Sequence, residues 1–127
     1  MITYLAGPIN GCTDDEANNW RDLAKKRLGD ENCLDPMRRD YRGIEDESVN
    51  EIVHGDLTDI ENSYVMLANC WQVSWGTAME IRYAYDIGLR VIAVLPPDTR
   101  VSPWLRYHAE IFYSLDAALD VIEATTV

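Results

Sequence analysis

Ser74-Trp75-Gly76-Thr77-Ala78-Met79-Glu80 carries most of the information about how this chain folds. The segment follows an apolar run, 64–70, and opens a helical pattern that continues to about Ile87. A strand that turns through a glycine into a helix is where open α/β folds bind ligands. The segment also places the carboxylate of Glu80 in the first turns of the helix. We therefore take Glu80 as a candidate nucleophile that acts on a sugar.

Apolar runs of strand length alternate with helical patterns on both sides of this segment. The T-x-x-E capping box of Thr13 and Glu16 starts a first helix, which ends at Gly29. Such alternation implies βαβ units, a parallel sheet and helices on both of its faces. The predicted strands are 2–6, 32–34, 64–68, 91–95 and 111–113, and the later predicted helices are 45–61, 77–87, 102–108 and 115–122.

Length and charge limit the classes of protein and partner. The chain has 127 residues, which fits one domain, 1–127. A net charge of −11 argues against binding to nucleic acid or to an anionic membrane, because the surface field repels phosphate polymers. A helix N-terminus with one or two arginines can still hold a single phosphate.

The cysteines and the apolar runs indicate a compartment. Cys12, Cys33 and Cys70 form no CxxC pair, which favours a reducing environment over a disulfide scaffold or a zinc site. No apolar run approaches the roughly 20 residues of a membrane span. The first residues enter a strand pattern without the charged region of a signal peptide. We expect a cytoplasmic protein without membrane contact.

A second carboxylate, that of Asp56, lies on the apolar stripe of the predicted helix 45–61. A carboxylate on a buried stripe is costly unless it is paired or borders a cavity, although a solvated position at the rim is the simpler alternative. Asp59 and Glu61 point away from the stripe and are predicted to be solvated. Two carboxylates at one cavity suit glycosidic-bond cleavage, in which one attacks the anomeric carbon and the other protonates or orients the leaving group.

Glu80 also has a purely structural explanation, because Thr77-x-x-Glu80 is itself a capping box. Against it, the predicted inner positions Met79 and Ile87 place Glu80 on the buried side of its helix, and both Gly7-Pro8 and Gly76 follow strand ends at one sheet edge. Ser74 either caps the helix or donates to a phosphate together with the amides of Gly76 and Thr77.

The loop 37–43 holds three of the eleven Lys and Arg residues of an acidic chain. It is either a solvated loop with salt bridges or a substrate contact, with Tyr41 offering a stacking face and Arg42 a charge.

Three blocks in the same order resemble the nucleoside 2-deoxyribosyltransferase family, which includes related nucleoside 5′-monophosphate N-glycosidases. The blocks are Tyr4-Leu5-Ala6-Gly7-Pro8-Ile9, then Asp56-(x)7-Tyr64-Val65-Met66-Leu67, then Gly76-Thr77-Ala78-Met79-Glu80 followed by Ala84 and Gly88. The resemblance covers residues 2 to about 95. It implies a flavodoxin/Rossmann-like three-layer α/β sandwich with a five-stranded, mainly parallel sheet.

The resemblance also implies roles for the site residues. Glu80 would form a covalent ester with the sugar C1′, Asp56 would lie near the base and its leaving nitrogen, and Tyr4 would position the nucleophile. No metal or organic cofactor is implied. The predicted substrate-binding residues are Gly7, Pro8, Ile9, Asn10, Arg42, Ser74, Gly76, Thr77 and Met79.

Ser74 departs from the pattern of the transferases, which carry an aspartate six residues before the nucleophile. Serine at that position resembles the monophosphate hydrolases, because an aspartate would repel a 5′-phosphate and a serine at a helix N-terminus would favour it. The sequence therefore predicts cleavage of the N-glycosidic bond of a (deoxy)nucleoside 5′-monophosphate or nucleoside through a glycosyl-Glu80 intermediate, resolved by water or by a second base.

The resemblance further implies a homodimer or higher homo-oligomer with a shared active site, to which the segment 102–108, with Trp104, Arg106 and Tyr107, would contribute. Two alternatives stay open: an NAD-type glycohydrolase, and a nucleotide-binding or sensing module without catalysis. The sequence names neither the base nor the sugar, and it leaves hydrolysis and base transfer equally supported.

Overall fold

Five parallel strands form the centre of the structure, a computed structural model that describes residues 1–125. Residues 126 and 127 of the predicted domain lie outside the described range. The strands follow the order β2-β1-β3-β4-β5, and each neighbouring pair is parallel. The strands are β1 (Thr3–Ala6), β2 (Cys33–Leu34), β3 (Val65–Asn69), β4 (Arg90–Val94) and β5 (Glu110–Phe112).

Five α-helices cover the two faces of this sheet. The capping box that starts the first of them is confirmed, since Glu16 and Thr13 exchange the expected hydrogen bonds. The predicted helix 45–61 is divided: a separate 3₁₀ turn at Glu45–Glu47 precedes a shorter α-helix. The helices are α1 (Asp14–Leu28), α2 (Val49–Glu61), α3 (Trp75–Asp86), α4 (Pro103–His108) and α5 (Leu115–Thr125).

Two apolar cores lie on opposite faces of the sheet and complete a three-layer sandwich, as predicted. Successive side chains of a strand point to opposite faces, so Leu5 packs with α1 and α5 while Tyr4 packs with α2 and α3. Both faces of the central strands are buried, which explains their continuous apolar runs. Tyr4 therefore points toward the helix that carries Glu80.

The strand order makes β1 and β3 neighbours at the centre of the sheet, with β2 on the far side of β1. The chain leaves the carboxyl ends of these two strands in opposite directions. This point of reversal is where open α/β sheets form a crevice for ligands. It brings the turn at Gly7 and the segment 70–74 to the same edge.

The buried face of α3 agrees only in part with the predicted one, which consisted of Met79, Tyr83, Ala84 and Ile87. Thr77, Ile81 and Ala84 are buried, whereas Met79 and Ile87 are 66% and 43% exposed. Both stripes contain apolar residues, and the buried one follows i, i+4, i+7 spacing. The stripe that packs against the sheet is the one with the smaller side chains.

The prediction of a solvated Asp59 is wrong, because only 7% of this residue is exposed. The apolar spacing of the same helix predicted a buried stripe of Val49, Ile52, Val53, Leu57 and Ile60. Val49 and Val53 are instead 57% and 47% exposed. The helix packs mainly through its last turns, where Ile60 is fully buried. No helix within residues 1–125 has the length and apolar character that a membrane span requires.

Candidate active site

A hydrogen bond between a strand and a helix marks the centre of the site. Tyr4 is fully buried on β1, and its Oη donates to Oε2 of the half-buried Glu80 at 2.6 Å, across 76 residues of sequence. Glu80 does not close a capping box with Thr77, since α3 begins at Trp75 and the Ser74 Oγ accepts the Thr77 amide at 3.4 Å. The capping explanation of Glu80 is therefore wrong, and Ser74 has the capping role.

The structure brings Asp56 of α2 next to Glu80, and we refer to these two residues as the carboxyl pair. Burial and the neighbouring Asp56 together raise the pKa of Glu80 to about 8, against the opposing effects of the hydrogen bond from Tyr4 and the charge of Arg21. Burial also raises the pKa of Asp56, against the opposing charge of Arg39. Two interacting acids titrate as a unit, and this pair retains a proton at neutral pH.

Two arginines of the loop 37–43 reach α2. Arg39 places Nη2 2.7 Å from Asp59 Oδ2 and 3.4 Å from Asp56 Oδ1. Arg38 binds the other oxygen of Asp59 at 2.8 Å. These contacts explain why Asp59 is buried, and they hold the pKa of Asp59 below its usual value despite the burial.

Beneath the site lies Arg21 of α1, which is completely buried. Its guanidinium donates to the carbonyl oxygens of Ala17, Gly7 and Leu5 at 2.6, 3.0 and 3.3 Å, and its Nε lies 3.6 Å from Asp35 Oδ1. Burial lowers the pKa of Arg21, and the nearby acids oppose that change. The side chain therefore fixes the carboxyl end of β1 and supplies a positive charge below Glu80.

Sequence reasoning missed both Arg21 and Arg39. A signal for Arg21 was present, because it lies one turn after Ala17 and one turn before Ala24, on the apolar stripe of α1. The same argument had singled out Asp56. For Arg39 there was no comparable signal, since a loop residue has no periodicity that reveals its contacts.

The turn after β1 is closely packed. A Cβ on Gly7 would lie 2.8 Å from Trp20 Cζ2 and 3.3 Å from the Asn69 carbonyl oxygen, so only glycine fits. Pro8 is buried and Ile9 is half-buried, while Asn10 is exposed. The turn thus approaches the end of β3 without a side chain between them.

The remaining predicted residues, Arg42, Gly76 and Met79, are half-buried or exposed. Arg42 binds Asp40 and Asp14 at 2.7 and 2.6 Å and the Cys12 carbonyl at 3.3 Å, which is the arrangement of a salt-bridged loop. Gly76 has open space where a side chain would be, and Met79 is exposed. Within residues 1–125, no group of three or more His, Cys, Asp or Glu side chains is arranged to hold a metal ion.

A cavity of about 660 Å³ lies on the other side of α3. Ser74, Thr77 and Ile81 line it from α3, and Trp104 lines it from α4, whereas Tyr4, Asp56 and Glu80 do not line it. The Thr77 Oγ1 is buried and has no hydrogen-bond partner within the described part of the chain. Ser74 therefore both caps the helix that carries Glu80 and lines this cavity.

A parallel sheet covered by helices on both faces, with a reversal of chain direction at its centre, defines the class of open α/β proteins. Within that class, residues 1–93 match the profile of the family described as a domain of unknown function, DUF4406. The chain belongs to this family. None of the curated proteins matches the chain in sequence.

Solved structures share the fold. A 2-deoxyribosyltransferase from Bacillus psychrosaccharolyticus is 17% identical, with a TM-score of 0.75 over 94% of this chain and 91% of that chain. A CMP N-glycosidase of Clostridium botulinum is 18% identical, with a TM-score of 0.60 over 97% of this chain and 99% of that chain. At these identities the likeness shows a common fold.

Proposed function

We propose that this protein cleaves the N-glycosidic bond of a (deoxy)nucleoside 5′-monophosphate, or of the nucleoside, through a covalent bond between the sugar and Glu80. The observation that carries the proposal is the 2.6 Å hydrogen bond from Tyr4 to Glu80, with Asp56 beside it. The fold shared with a deoxyribosyltransferase and a CMP N-glycosidase supports this class of reaction.

The first half-reaction uses one proton held by the carboxyl pair. Tyr4 binds Oε2 of Glu80, and the Glu80 carboxylate attacks C1′ through Oε1. The bond between C1′ and the base nitrogen breaks, its electron pair goes to the nitrogen, and Asp56 supplies the proton. The products are the free base, a glycosyl ester on Glu80 and an ionised Asp56.

In the second half-reaction the ionised Asp56 accepts a proton from water while the water oxygen attacks C1′. The ester bond breaks and its electrons return to the Glu80 carboxylate, so the carboxyl pair again holds one proton. A second base that attacks C1′ instead of water gives base exchange. Both outcomes use the same residues, and access of water to the ester decides between them.

The phosphate of the substrate would lie at the start of α3. Ser74 accepts the Thr77 amide, so its hydroxyl hydrogen is free to donate to an anion. Gly76 leaves open space over the first turn, where backbone amides and the helix dipole favour negative charge.

A substrate panel tests the proposal. Nucleosides, 5′-monophosphates and NAD are incubated with the protein, with and without an acceptor base, and free base and exchanged product are measured. We expect base release from a 5′-monophosphate. Release of nicotinamide alone would indicate the NAD-type glycohydrolase, and binding without turnover of any compound would indicate a binding module.

Replacing Ser74 by Asp tests the phosphate assignment. Aspartate caps a helix as well as serine does, so the fold is maintained, while its charge repels a 5′-phosphate. We expect kcat/KM for the 5′-monophosphate to fall about tenfold or more, with the value for the nucleoside unchanged. Steady-state kinetics on the two substrates measure the ratio. An equal loss of kcat/KM on both substrates would show that the phosphate does not bind at Ser74.

We also propose that a second copy of the chain covers an apolar face next to the site. This α3–α4 face consists of Trp75, Met79, Trp104 and Tyr107, and its two tryptophans are 84% and 76% exposed. Large exposed aromatic side chains on two neighbouring helices are typical of protein interfaces. The face borders the cavity at Ser74, so a partner subunit would complete the phosphate end of the site.

Replacing Trp104 by Glu tests the assembly. We expect the parent to sediment as a dimer or larger species and the variant to sediment as a monomer with reduced turnover. The control is Tyr64→Glu, since Tyr64 is 66% exposed but precedes β3 at the opposite edge of the sheet. A monomeric parent, or dissociation by both substitutions, would contradict this interface.

A further inference from the structure

Arg39 crosses α2 at Gly55, the residue of that helix that lacks a side chain. A Cβ on Gly55 would lie 3.2 Å from both Nε and Nη2 of Arg39 and 3.3 Å from Cζ. Glycine inside a helix costs about 1 kcal/mol relative to alanine. The close approach of the guanidinium explains why glycine occurs here.

Asp59 holds the guanidinium of Arg39 in this position. It is 7% exposed, and its Oδ2 accepts from Arg39 Nη2 at 2.7 Å while Oδ1 accepts from Arg38. The same Nη2 lies 3.4 Å from Asp56 Oδ1, too far for a strong hydrogen bond and close enough for a strong charge interaction. Arg39 is thus anchored on one carboxylate and acts on the other by its charge.

We propose that Arg39 is a positioning residue that keeps Asp56 as the ionised member of the carboxyl pair before substrate binds. The proton of the pair then resides on Glu80 in the empty site. As C1′ approaches, Glu80 passes this proton to Asp56, which delivers it to the leaving base. The catalytic consequence rests on the proposed function, whereas the position of the proton is a property of the free protein.

The long distance of 3.4 Å between Arg39 and Asp56 matters for the proposed proton transfer. A short, bidentate pair would keep Asp56 ionised throughout and remove the acid that the leaving base needs. Without Arg39, burial and the charge of Asp59 would raise the pKa of Asp56 with less opposition, and Asp56 would compete with Glu80 for the proton. The charged and titratable groups around the carboxyl pair are Tyr4 from β1, Arg21 from α1, Arg39 from the loop and Asp59 from α2.

A titration of the free protein tests the proposal without any substrate. The side-chain carboxyl carbons of Asp and Glu are labelled with ¹³C, and their NMR shifts are followed against pH in the parent, Arg39→Gln and Arg38→Gln. The matched control removes the other arginine from Asp59 and leaves the partner of Asp56 in place. We expect Arg39→Gln to move the titration of Asp56 to higher pH and Arg38→Gln to leave it unchanged.

The pH dependence of base release is the second readout. With one proton needed on the carboxyl pair, the acidic limb of the profile reports loss of the first proton. We expect this limb to move to higher pH in Arg39→Gln, with kcat on the acidic limb lowered roughly tenfold. Arg39→Lys keeps the charge and should restore most of the parent profile.

Two results would overturn the proposal: an Asp56 titration in Arg39→Gln that overlays the parent, or an equal displacement in Arg38→Gln. If Arg39→Gln does not fold in a thermal melt, Gly55→Ala takes its place. That variant keeps every charge but forces the guanidinium to shift by a few tenths of an ångström, so the Asp56 titration should change. If the parent showed no turnover, the proposed function would be refuted. The titration would still test the effect of Arg39 on Asp56, because it needs no substrate.

Discussion

Glu80→Gln is expected to abolish base release while leaving the chain folded. Glutamine keeps the shape and can still accept the Tyr4 hydrogen bond, but it cannot form the glycosyl ester. Loss of a catalytic nucleophile lowers kcat by roughly 10⁴- to 10⁶-fold. The measurement is free base released from the best 5′-monophosphate of the panel, together with mass spectrometry of the parent to detect the ester.

The control for this variant is Asp86→Asn, which removes a carboxylate from the exposed end of the same helix, where it pairs with Arg82 at 3.1 Å. We expect it to keep parental activity. Base release by Glu80→Gln within tenfold of the parent would refute the covalent mechanism.

The same variant has a second signature in stability. The pKa of Glu80 rises from its ordinary value of 4.5 to about 8 in the folded protein. Between these two pH values the folded protein keeps a proton on Glu80 that the unfolded chain has lost. The free energy of unfolding of the parent therefore falls as pH rises through this window. Glutamine does not titrate, so urea unfolding at the two ends of the window should show a smaller fall in Glu80→Gln.

Arg21→Met is expected to cause the largest loss of stability. The substitution keeps much of the volume but removes a buried cation from three carbonyl oxygens and from Asp35. Breaking a buried charged network of this kind costs about 3–5 kcal/mol. Chemical denaturation measures the free energy of unfolding, and Lys26→Met, on the exposed side of α1, should change it by no more than about 0.5 kcal/mol.

Loss of Arg21 should also affect the site, because its charge lowers the pKa of Glu80. In a folded Arg21→Met protein, the titration of Glu80 should move to still higher pH. If the free energy of unfolding fell by less than about 1 kcal/mol, water would be replacing the guanidinium, and Arg21 would not be what fixes the carboxyl end of β1.

The layers of the fold could be predicted because each strand and each main helix has its own local signal. β1 and β3 read as apolar runs that end in turns, and the Thr13 cap precedes α1 as expected. Ser74 caps α3, which is one of the two roles that the sequence left open for it. Parallel strands buried on both faces leave few other architectures for such a pattern.

The faces of α2 and α3 could not be predicted with the same success. Each helix carries more apolar residues than its buried face needs, so Met79 and Val53 are apolar and exposed. Asp59 is charged and buried because arginines from a distant loop neutralise it, and such pairing depends on tertiary structure. Local periodicity contains no information about these partners.

The candidate site was predictable as far as its carboxylates and no further. Asp56 and Glu80 stood out as acids on stripes that should be buried, and the structure places them together. Arg39 was not singled out, and Arg42 from the same loop was preferred although it is held by Asp14 and Asp40. Which arginine of a loop turns inward depends on space, here the space above Gly55.

The parallel sheet has a consequence for how the protein is made. Tyr4 leaves the ribosome before its partner Glu80, which follows 76 residues later. Each of the four strand pairings joins segments that are distant in sequence, and such non-local contacts form slowly. β1 therefore lacks its β3 partner until β3 has been synthesised, and this apolar strand is open to aggregation during that interval.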